Sequence, residues 1–170
     1  MKYWSLRREV LEIARKMNES GINQGTSGNV SVRTDDGCLI TPTGMPYESL
    51  KPEDLVEMRL DGRVPHGQRA PSSEWRFHVD LLLARDDLDA IVHAHPPYAT
   101  SLSCLRRGIP PFHYMVAVAG GRDVRCAPYA TFGTAELSAH AVEAMRDRKA
   151  CLLANHGLLA AGKDLNDAFK

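Results

Sequence analysis

Two histidines near the middle of the chain are separated by a single residue, in the segment VHAH. If this segment is a β-strand, alternate side chains share a face, so His93 and His95 present two imidazoles side by side. A third histidine, His156, follows another apolar run in LLANHG. Three neutral imidazoles that leave one coordination position open are typical of a catalytic zinc site. Because polar residues at strand ends also form local hydrogen bonds, the spacing alone leaves a metal site and a structural role as alternatives.

One acidic residue, Glu74, follows the segment Pro71-Ser72-Ser73 at the start of a predicted helix. Acidic residues in the first helical turn complement the helix dipole, which is an ordinary structural explanation. Beside a metal, the same carboxylate could be a ligand or a general base. Both interpretations stay open from sequence spacing.

Three short segments combine glycines with small hydroxyl residues: GTSGN (25–29), TPTG (41–44) and Ser72-Ser73. Such segments expose backbone N–H groups, which together with a helix N-terminus can hold a phosphate. The same residue types are common in turns and helix caps. None of the segments has the spacing of a P-loop, so a nucleoside triphosphate is not indicated.

The other residues that could take part in catalysis or binding give weaker evidence of a function. Tyr114 lies in the segment HYMVAVAGG, and most tyrosines pack their ring and use only the hydroxyl as a polar contact. Four histidines form no cluster by spacing and are interpreted as surface or packing residues: His66, His78, His113 and His140.

The elements that must position these residues follow from hydrophobic periodicity and turn signals. Apolar residues at helical spacing before Gly21 predict an N-terminal helix. NVSVRTDDGCLIT predicts a hairpin around Asp36-Gly37, and LVEMRLDGRV predicts a second one around Asp61-Gly62. SSEWRFHVDLLLAR predicts a helix with Trp75, Val79, Leu82 and Leu83 on one face.

Strands and helices also alternate in the second half of the chain. LDAIVHAH and HYMVAVAGG predict strands, Thr134 is a predicted helix cap, and KACLLANHGLLAAG predicts a strand or hairpin around Gly157. Asp164 could cap a last helix, but too few residues follow it for a helix that is stable alone. Because hairpins are mixed with alternating helices and strands, the predicted fold is a mixed α/β sandwich.

Composition limits the class of protein. The chain has 170 residues, which favours a single domain over residues 1–170. It carries 21 basic and 21 acidic residues, so charge gives no reason to expect nucleic acid or an anionic membrane as a partner. There is no apolar run near the roughly 20 residues of a membrane span and no secretory h-region. The four cysteines form no CxxC pair, so we expect reduced thiols in a cytoplasmic protein.

Several segments together resemble the class II aldolase and adducin superfamily, and its aldolase branch in particular. They are NQGTSGNVSVR, ITPTGMPYESL, PSSEWRFH, VHAH, IPPFHYMVAVAGG, CAPYATFGT and NHGLLA, and they span most of the chain. Their order and spacing are specific to the superfamily, whereas HxH or SSE alone is not. The resemblance implies a three-layer α/β/α sandwich with a mostly antiparallel sheet, assembled as a homotetramer.

Residue roles also follow from the resemblance. It implies a metal site for Zn²⁺, or another divalent transition metal, formed by His93, His95 and His156, with Glu74 as ligand and then base. It further implies that Tyr114 reaches a neighbouring subunit's site as proton donor. The implied substrate site has a phosphate pocket and an aromatic residue on its aldehyde side, with these members: Gly28, Asn29, Thr43, Gly44, Ser72, Ser73 and Phe132.

The implied activity is reversible cleavage of a ketose 1-phosphate, L-fuculose 1-phosphate or a close analogue, to dihydroxyacetone phosphate and a small aldehyde. Related enzymes leave two alternatives, a sugar-phosphate 4-epimerase and a methylthioribulose-phosphate dehydratase. A non-catalytic adducin-like module is disfavoured because all three histidines and Glu74 are present. Members of the family continue past the position of Lys170, so we expect this chain to lack their C-terminal segment.

Overall fold

A seven-stranded sheet forms the centre of the protein, in a computed structural model that describes residues 1–170. The strand order is β3-β2-β1-β4-β7-β6-β5, and every neighbouring pair is antiparallel except the parallel pair β5-β6. The strands are β1 (Asn29–Thr34), β2 (Gly37–Ile40), β3 (Val56–Met58), β4 (Ala90–Ala94), β5 (Arg125–Ala127), β6 (Ala150–Leu153) and β7 (Gly157–Gly162).

Helices cover both faces of this sheet. They are α1 (Trp4–Glu19), α2 (Trp75–Ala84), α3 (Pro97–Cys104), α4 (Ala135–Ala144) and α5 (Leu165–Phe169). The apolar faces of α2 and α4 pack with one side of the sheet, and those of α1 and α5 pack with the other. The predicted three-layer α/β/α sandwich with a mostly antiparallel sheet is therefore confirmed. None of these helices combines the length and the apolar character that crossing a membrane requires.

The central strand β4 explains how the two cores are joined. Ile91 packs in the core beneath α2 and α4, whereas Ala90 and Val92 pack in the core beneath α1 and α5. Successive side chains of a strand point to opposite faces, so a strand buried on both sides reads as a continuous apolar run. His93 continues this alternation and points to the same side of the sheet as Ile91.

Most predicted elements are present. The hairpin around Asp36-Gly37 is the pair β1-β2, and the segment around Gly157, predicted as a strand or hairpin, is the hairpin β6-β7. Thr134 caps α4, because its hydroxyl accepts a hydrogen bond from the backbone N–H of Leu137.

Three predictions about local structure were wrong. HYMVAVAGG is not a strand but contains a 3₁₀ helix, Tyr114–Ala119, whose residues have no strand partner and are largely solvent-exposed. After Asp61-Gly62 the chain closes a turn without forming a second strand. Leu83 does not share the buried face of α2, since 57% of its surface is exposed.

The formation of two short helices, α3 and α5, could not be predicted from local sequence alone. α3 was not predicted; it begins with a proline at its first position, which suits a residue without an N–H group. α5 has only five residues, yet the Asp164 side chain accepts a hydrogen bond from the Asp167 N–H. Leu165 and Ala168 of α5 are buried in the core that lies between the sheet and α1. Packing therefore stabilises a helix that would be too short by itself.

Candidate metal centre

Three histidine rings converge at one end of the central strands. His93 is the fourth residue of β4, His95 follows the end of that strand, and His156 lies in the tight loop between β6 and β7. Because β4 and β7 are antiparallel and pair His93 with Leu159, the loop that precedes β7 lies beside the end of β4. One nitrogen from each ring lies within 4.8 Å of the other two. The structure thus brings together the three predicted metal ligands.

The loop that carries His156 is held by its neighbours. The backbone N–H of Asn155 donates to the carbonyl of Ser103 at 3.0 Å, and the N–H of His156 lies 3.3 Å from the Ser103 hydroxyl. A Cβ atom on Gly157 would lie 2.6 Å from His95 Cδ2 and 2.7 Å from the Ala94 carbonyl oxygen. Only glycine therefore allows this loop to approach the His95 ring so closely.

The orientation of the His93 ring is fixed by the backbone. Its Nδ1 lies 2.9 Å from the carbonyl oxygen of Leu158, which can only accept, so Nδ1 carries the hydrogen. In the neutral ring the lone pair is then on Nε2, which lies 3.0 Å from His95 Nε2. A backbone partner of this kind is usual for a histidine that binds a metal through its other nitrogen.

Glu74, at the start of α2, also lies against the histidine cluster. It directly precedes α2, is 5% exposed, and makes no capping hydrogen bond to its own helix. Its oxygens lie 3.2 Å from His93 Nε2 and 3.2 Å from His156 Nε2. Oε2 accepts a hydrogen bond from the Asn29 side chain at 3.1 Å, whereas Oε1 is buried without a hydrogen-bond partner. Three converging imidazole nitrogens and an unsatisfied carboxylate oxygen fit a divalent cation.

The protonation states of these groups suit a metal as well. Burial, reinforced by the nearby charge of His93 and opposed by that of Glu74, lowers the pKa of His95 and of His156 to about 4. Burial by itself would raise the pKa of Glu74. When His93 carries a hydrogen on both ring nitrogens, its hydrogen bond and charge, followed by His156 and Asn29, lower this pKa to about 2. Neutral imidazoles and an ionised carboxylate are the forms that coordinate metal ions.

A cleft of about 360 Å³ opens over this cluster. Ser73 and Phe132, two of the predicted substrate residues, line it together with Glu74, His95 and His156. The lining also includes Thr26 and Ser27 of the predicted phosphate segment GTSGN, and three residues that the sequence did not single out: Tyr129, Ala130 and Asn155. All of them belong to segments that carried the family resemblance, but their spacing gave no individual signal. A larger groove, about 660 Å³, runs along charged residues of α1. The three histidines of the candidate metal site do not line it.

Three of the other predicted phosphate residues, Thr43, Gly44 and Ser72, lie in neighbouring segments outside the lining of that cleft. The segment of Thr43 and Gly44 pairs with the segment of Ser72, because Thr43 N–H donates to the Ala70 carbonyl at 3.2 Å and Ser72 N–H donates to the Thr41 carbonyl at 3.0 Å. The hydroxyl of Ser72 is 3.3 Å from the backbone nitrogen of Glu74.

Gly28 and Asn29 sit where β1 passes closest to the histidines. A Cβ on Gly28 would lie 2.6 Å from the carbonyl oxygen of His93, so this close approach requires glycine. The Asn29 side chain is buried, with its amide nitrogen on Glu74 and its amide oxygen 2.5 Å from His78 Nε2. These contacts make Asn29 a neighbour of the metal cluster, and they show that His78 is a buried polar residue beside the site.

Tyr114 is not brought to the histidine cleft of its own chain. It begins the 3₁₀ helix, and 80% of its surface is exposed. Phe112, Met115 and Val118 are also more than half exposed in the same part of the chain, and we call these four residues the aromatic patch. An exposed group of large apolar side chains is typical of a protein–protein contact surface.

Comparisons with known proteins agree with this geometry. Residues 8–170 match the family described as class II aldolase and adducin N-terminal domain. The chain is 54% identical over 166 residues to the 5-methylthioribulose-1-phosphate/5-deoxyribulose-1-phosphate aldolase of Rhodospirillum rubrum, covering 98% of this chain and 75% of that protein. It is 50% identical to the L-fuculose phosphate aldolase of Escherichia coli, covering 96% and 76%. A solved structure of an L-fuculose 1-phosphate aldolase superimposes with a TM-score of 0.96 at 46% identity, covering 99% of this chain and 80% of that one.

Proposed function

The chain belongs to the class II aldolase and adducin family, and from this premise we propose that it is a metal-dependent aldolase acting on a ketose 1-phosphate. It would reversibly release dihydroxyacetone phosphate and a small aldehyde. The observation that carries the proposal is the convergence of three imidazole nitrogens and the buried Glu74 carboxylate in one cleft. A module without catalysis has no need of an unsatisfied buried carboxylate oxygen at that position.

We expect His93, His95 and His156 to hold the ion, which is Zn²⁺ or another divalent transition metal. When bound, the ion supplies a Lewis acid that draws electron density from the substrate carbonyl. The Leu158 carbonyl holds the hydrogen on His93 Nδ1, which leaves the Nε2 lone pair available for the ion.

Glu74 is the proposed acid and base. In the synthetic direction it would take a proton from the hydroxymethyl carbon of dihydroxyacetone phosphate, and in cleavage it would return that proton. The carboxylate is ionised and buried, and Oε1 accepts no hydrogen bond, so this oxygen is available to take the proton. The Asn29 amide holds the other oxygen in place.

The phosphate of the substrate would lie near the start of α2. Ser72 and Ser73 precede that helix, and its unpaired N–H groups favour an anion. Gly28, Asn29, Thr43 and Gly44 are the remaining proposed contacts. Binding energy from this remote group would fix the reacting bond relative to Glu74.

The proposed substrates are ketose 1-phosphates whose far end is small and apolar. The relatives named above act on L-fuculose phosphate, 5-methylthioribulose 1-phosphate or 5-deoxyribulose 1-phosphate. Phe132 and Tyr129 line the cleft and suit the apolar end of the aldehyde. A pocket distinguishes one methylene by only about 1–3 kcal/mol, so we propose overlapping rather than exclusive use of these sugars.

We further propose a homotetramer in which Tyr114 of one subunit reaches the cleft of its neighbour and protonates the aldehyde oxygen as the bond forms. This proposal is supported by the position of Tyr114 in the exposed aromatic patch, away from the cleft of its own chain. Burial of that patch between subunits would remove a large apolar surface from water.

A coupled assay tests the function. The release of dihydroxyacetone phosphate from L-fuculose 1-phosphate and from 5-deoxyribulose 1-phosphate is followed with Zn²⁺ and then with EDTA. We expect release that EDTA abolishes, and we expect His95→Ala to lose both release and stoichiometric zinc. His66→Ala is the matched control, since His66 is an exposed histidine outside the cluster. Release that persists in EDTA, or zinc content that survives in His95→Ala, would contradict the proposal.

A further inference from the structure

A chain of buried hydrogen bonds leads from β1 through α2 to Glu74. Ser31 Oγ lies 2.7 Å from His78 Nδ1, and His78 Nε2 lies 2.5 Å from Asn29 Oδ1. The Asn29 amide nitrogen then donates to Glu74 Oε2 at 3.1 Å. None of these four residues is more than 5% exposed. The two middle members, His78 and Asn29, therefore connect a hydroxyl in the core to the carboxylate of the site.

The spacing of these residues explains why they meet. Glu74 and His78 are four residues apart at the start of α2, which corresponds to about 6 Å along a helix. Asn29 and Ser31 are two residues apart on one face of β1, which corresponds to about 6.8 Å along a strand. Because the two distances nearly match, the helix and the strand can make both contacts at once, and the His78 ring bridges the two strand residues.

The Glu74 carboxylate determines which group donates and which accepts in each of these hydrogen bonds. Ionised Glu74 can only accept, so Asn29 must present its NH₂ group to it and its carbonyl oxygen to His78. His78 must then donate from Nε2. A fully buried ring with no carboxylate partner stays neutral, so its Nδ1 accepts from the Ser31 hydroxyl.

We propose that His78 is a positioning residue for Glu74: with Ser31 it fixes the Nε2–H form of the ring, and this turns the Asn29 amide so that its NH₂ group faces the carboxylate. Without a donor at position 78, the amide can rotate by half a turn and place its oxygen against Glu74 Oε2. Two acceptors would then repel, and the carboxylate would leave its position. The proposal rests on the proposed function, in which this carboxylate moves a proton.

The first test needs no enzyme activity and no metal. Nitrogen-15 NMR of the metal-free protein reports which ring nitrogen of His78 carries hydrogen, and we expect Nε2. A hydrogen on Nδ1, or on both nitrogens at neutral pH, would overturn the proposal. In Ser31→Ala we expect the His78 Nδ1 resonance to move. The matched control is Ser138→Ala. It removes an equally buried hydroxyl, which donates to Asp80 and takes no part in the hydrogen bonds that lead to Glu74. An unmoved resonance in Ser31→Ala would also overturn the proposal.

The second test measures exchange of the substrate proton with solvent, using dihydroxyacetone phosphate in D₂O and the zinc-loaded protein. We expect His78→Leu to slow exchange by about 10–100-fold, as removal of supporting hydrogen bonds around metal sites typically does. His78→Gln can still donate to Asn29 from its side-chain nitrogen, so we expect it to restore most of the rate.

The outcomes separate orientation from simple loss of packing. Normal exchange in His78→Leu, or equal loss in the Leu and Gln variants at equal thermal stability, would overturn the positioning role. If the wild-type chain exchanges no proton and releases no dihydroxyacetone phosphate, the proposed function fails, while the His78 ring form and its response to Ser31→Ala still decide whether the hydrogen-bond chain has the stated direction.

Discussion

Acid should destabilise the metal-free protein through its buried histidines, and His78 has the most strongly lowered pKa among them. The ring is fully buried, and burial, reinforced by the charge of His93 and opposed by that of Glu74, lowers its pKa from 6.5 to about 3. In the unfolded chain the ring regains an ordinary pKa. Between pH 6.5 and pH 3 the unfolded state therefore binds one more proton at this position than the folded state does.

The magnitude follows from the two pKa values. Stability rises with pH wherever the unfolded state holds more protons, so the free energy of unfolding falls as pH drops below 6.5. For pKa values of about 3 and 6.5, the loss from His78 alone is about 2 kcal/mol between pH 7.5 and pH 5. Above pH 7 the contribution disappears, because the ring is neutral in both states.

Urea unfolding in EDTA at pH 7.5 and at pH 5 measures this loss. The comparison is His78→Gln, which keeps a polar side chain but has no group that titrates in this range. We expect the variant to lose about 2 kcal/mol less than the wild type between the two pH values, whatever its stability at pH 7.5. Equal losses in the two proteins would refute the reasoning and would show that His78 is not held neutral by the fold.

Three further predictions concern the site itself. Glu74→Gln should retain stoichiometric zinc, because three histidines remain, and should lose proton exchange at dihydroxyacetone phosphate; normal exchange would remove Glu74 as the base. Tyr114→Phe should slow cleavage and spare exchange, since the aldehyde oxygen takes no part in exchange; equal loss of both rates would contradict the donor role. Gly157→Ala should weaken zinc binding by pushing on the His95 ring and should cost about 1–3 kcal/mol of stability, measured by zinc titration and urea unfolding; unchanged values for both would show that the contact relaxes freely.

Much of the metal cluster could be predicted because its signals are local. His93 and His95 are spaced to lie on the same side of a strand, and His156 comes just before a glycine in a hairpin, so strand periodicity and turn chemistry were sufficient to suggest them. The α/β sandwich followed for the same reason, since hairpins and amphipathic helices each have a clear sequence pattern.

The parts that could not be predicted depend on contacts between distant segments. His78 has no neighbour in sequence that indicates its role, because its partners Ser31 and Asn29 are on another element. HYMVAVAGG has the apolar composition of a strand, but it has no neighbouring strand to pair with and forms a 3₁₀ helix instead. Sequence patterns record the preference of a segment for one conformation, whereas these outcomes depend on what the rest of the chain places beside it.

The positions of the proposed ligands along the chain give metal binding a consequence for stability. Glu74 enters from a helix, His93 from the middle of the sheet, and His156 from a loop that closes more than sixty residues later in the chain. An ion bound at this point would cross-link parts of the chain that are otherwise joined by packing and hydrogen bonds. By mass action it would raise the unfolding free energy by about 2.7 kcal/mol at a hundredfold excess over its dissociation constant. The melting temperature would then report how much of the protein has metal bound. Removing the metal with a chelator would weaken the contact between α2 and the central strands of the sheet.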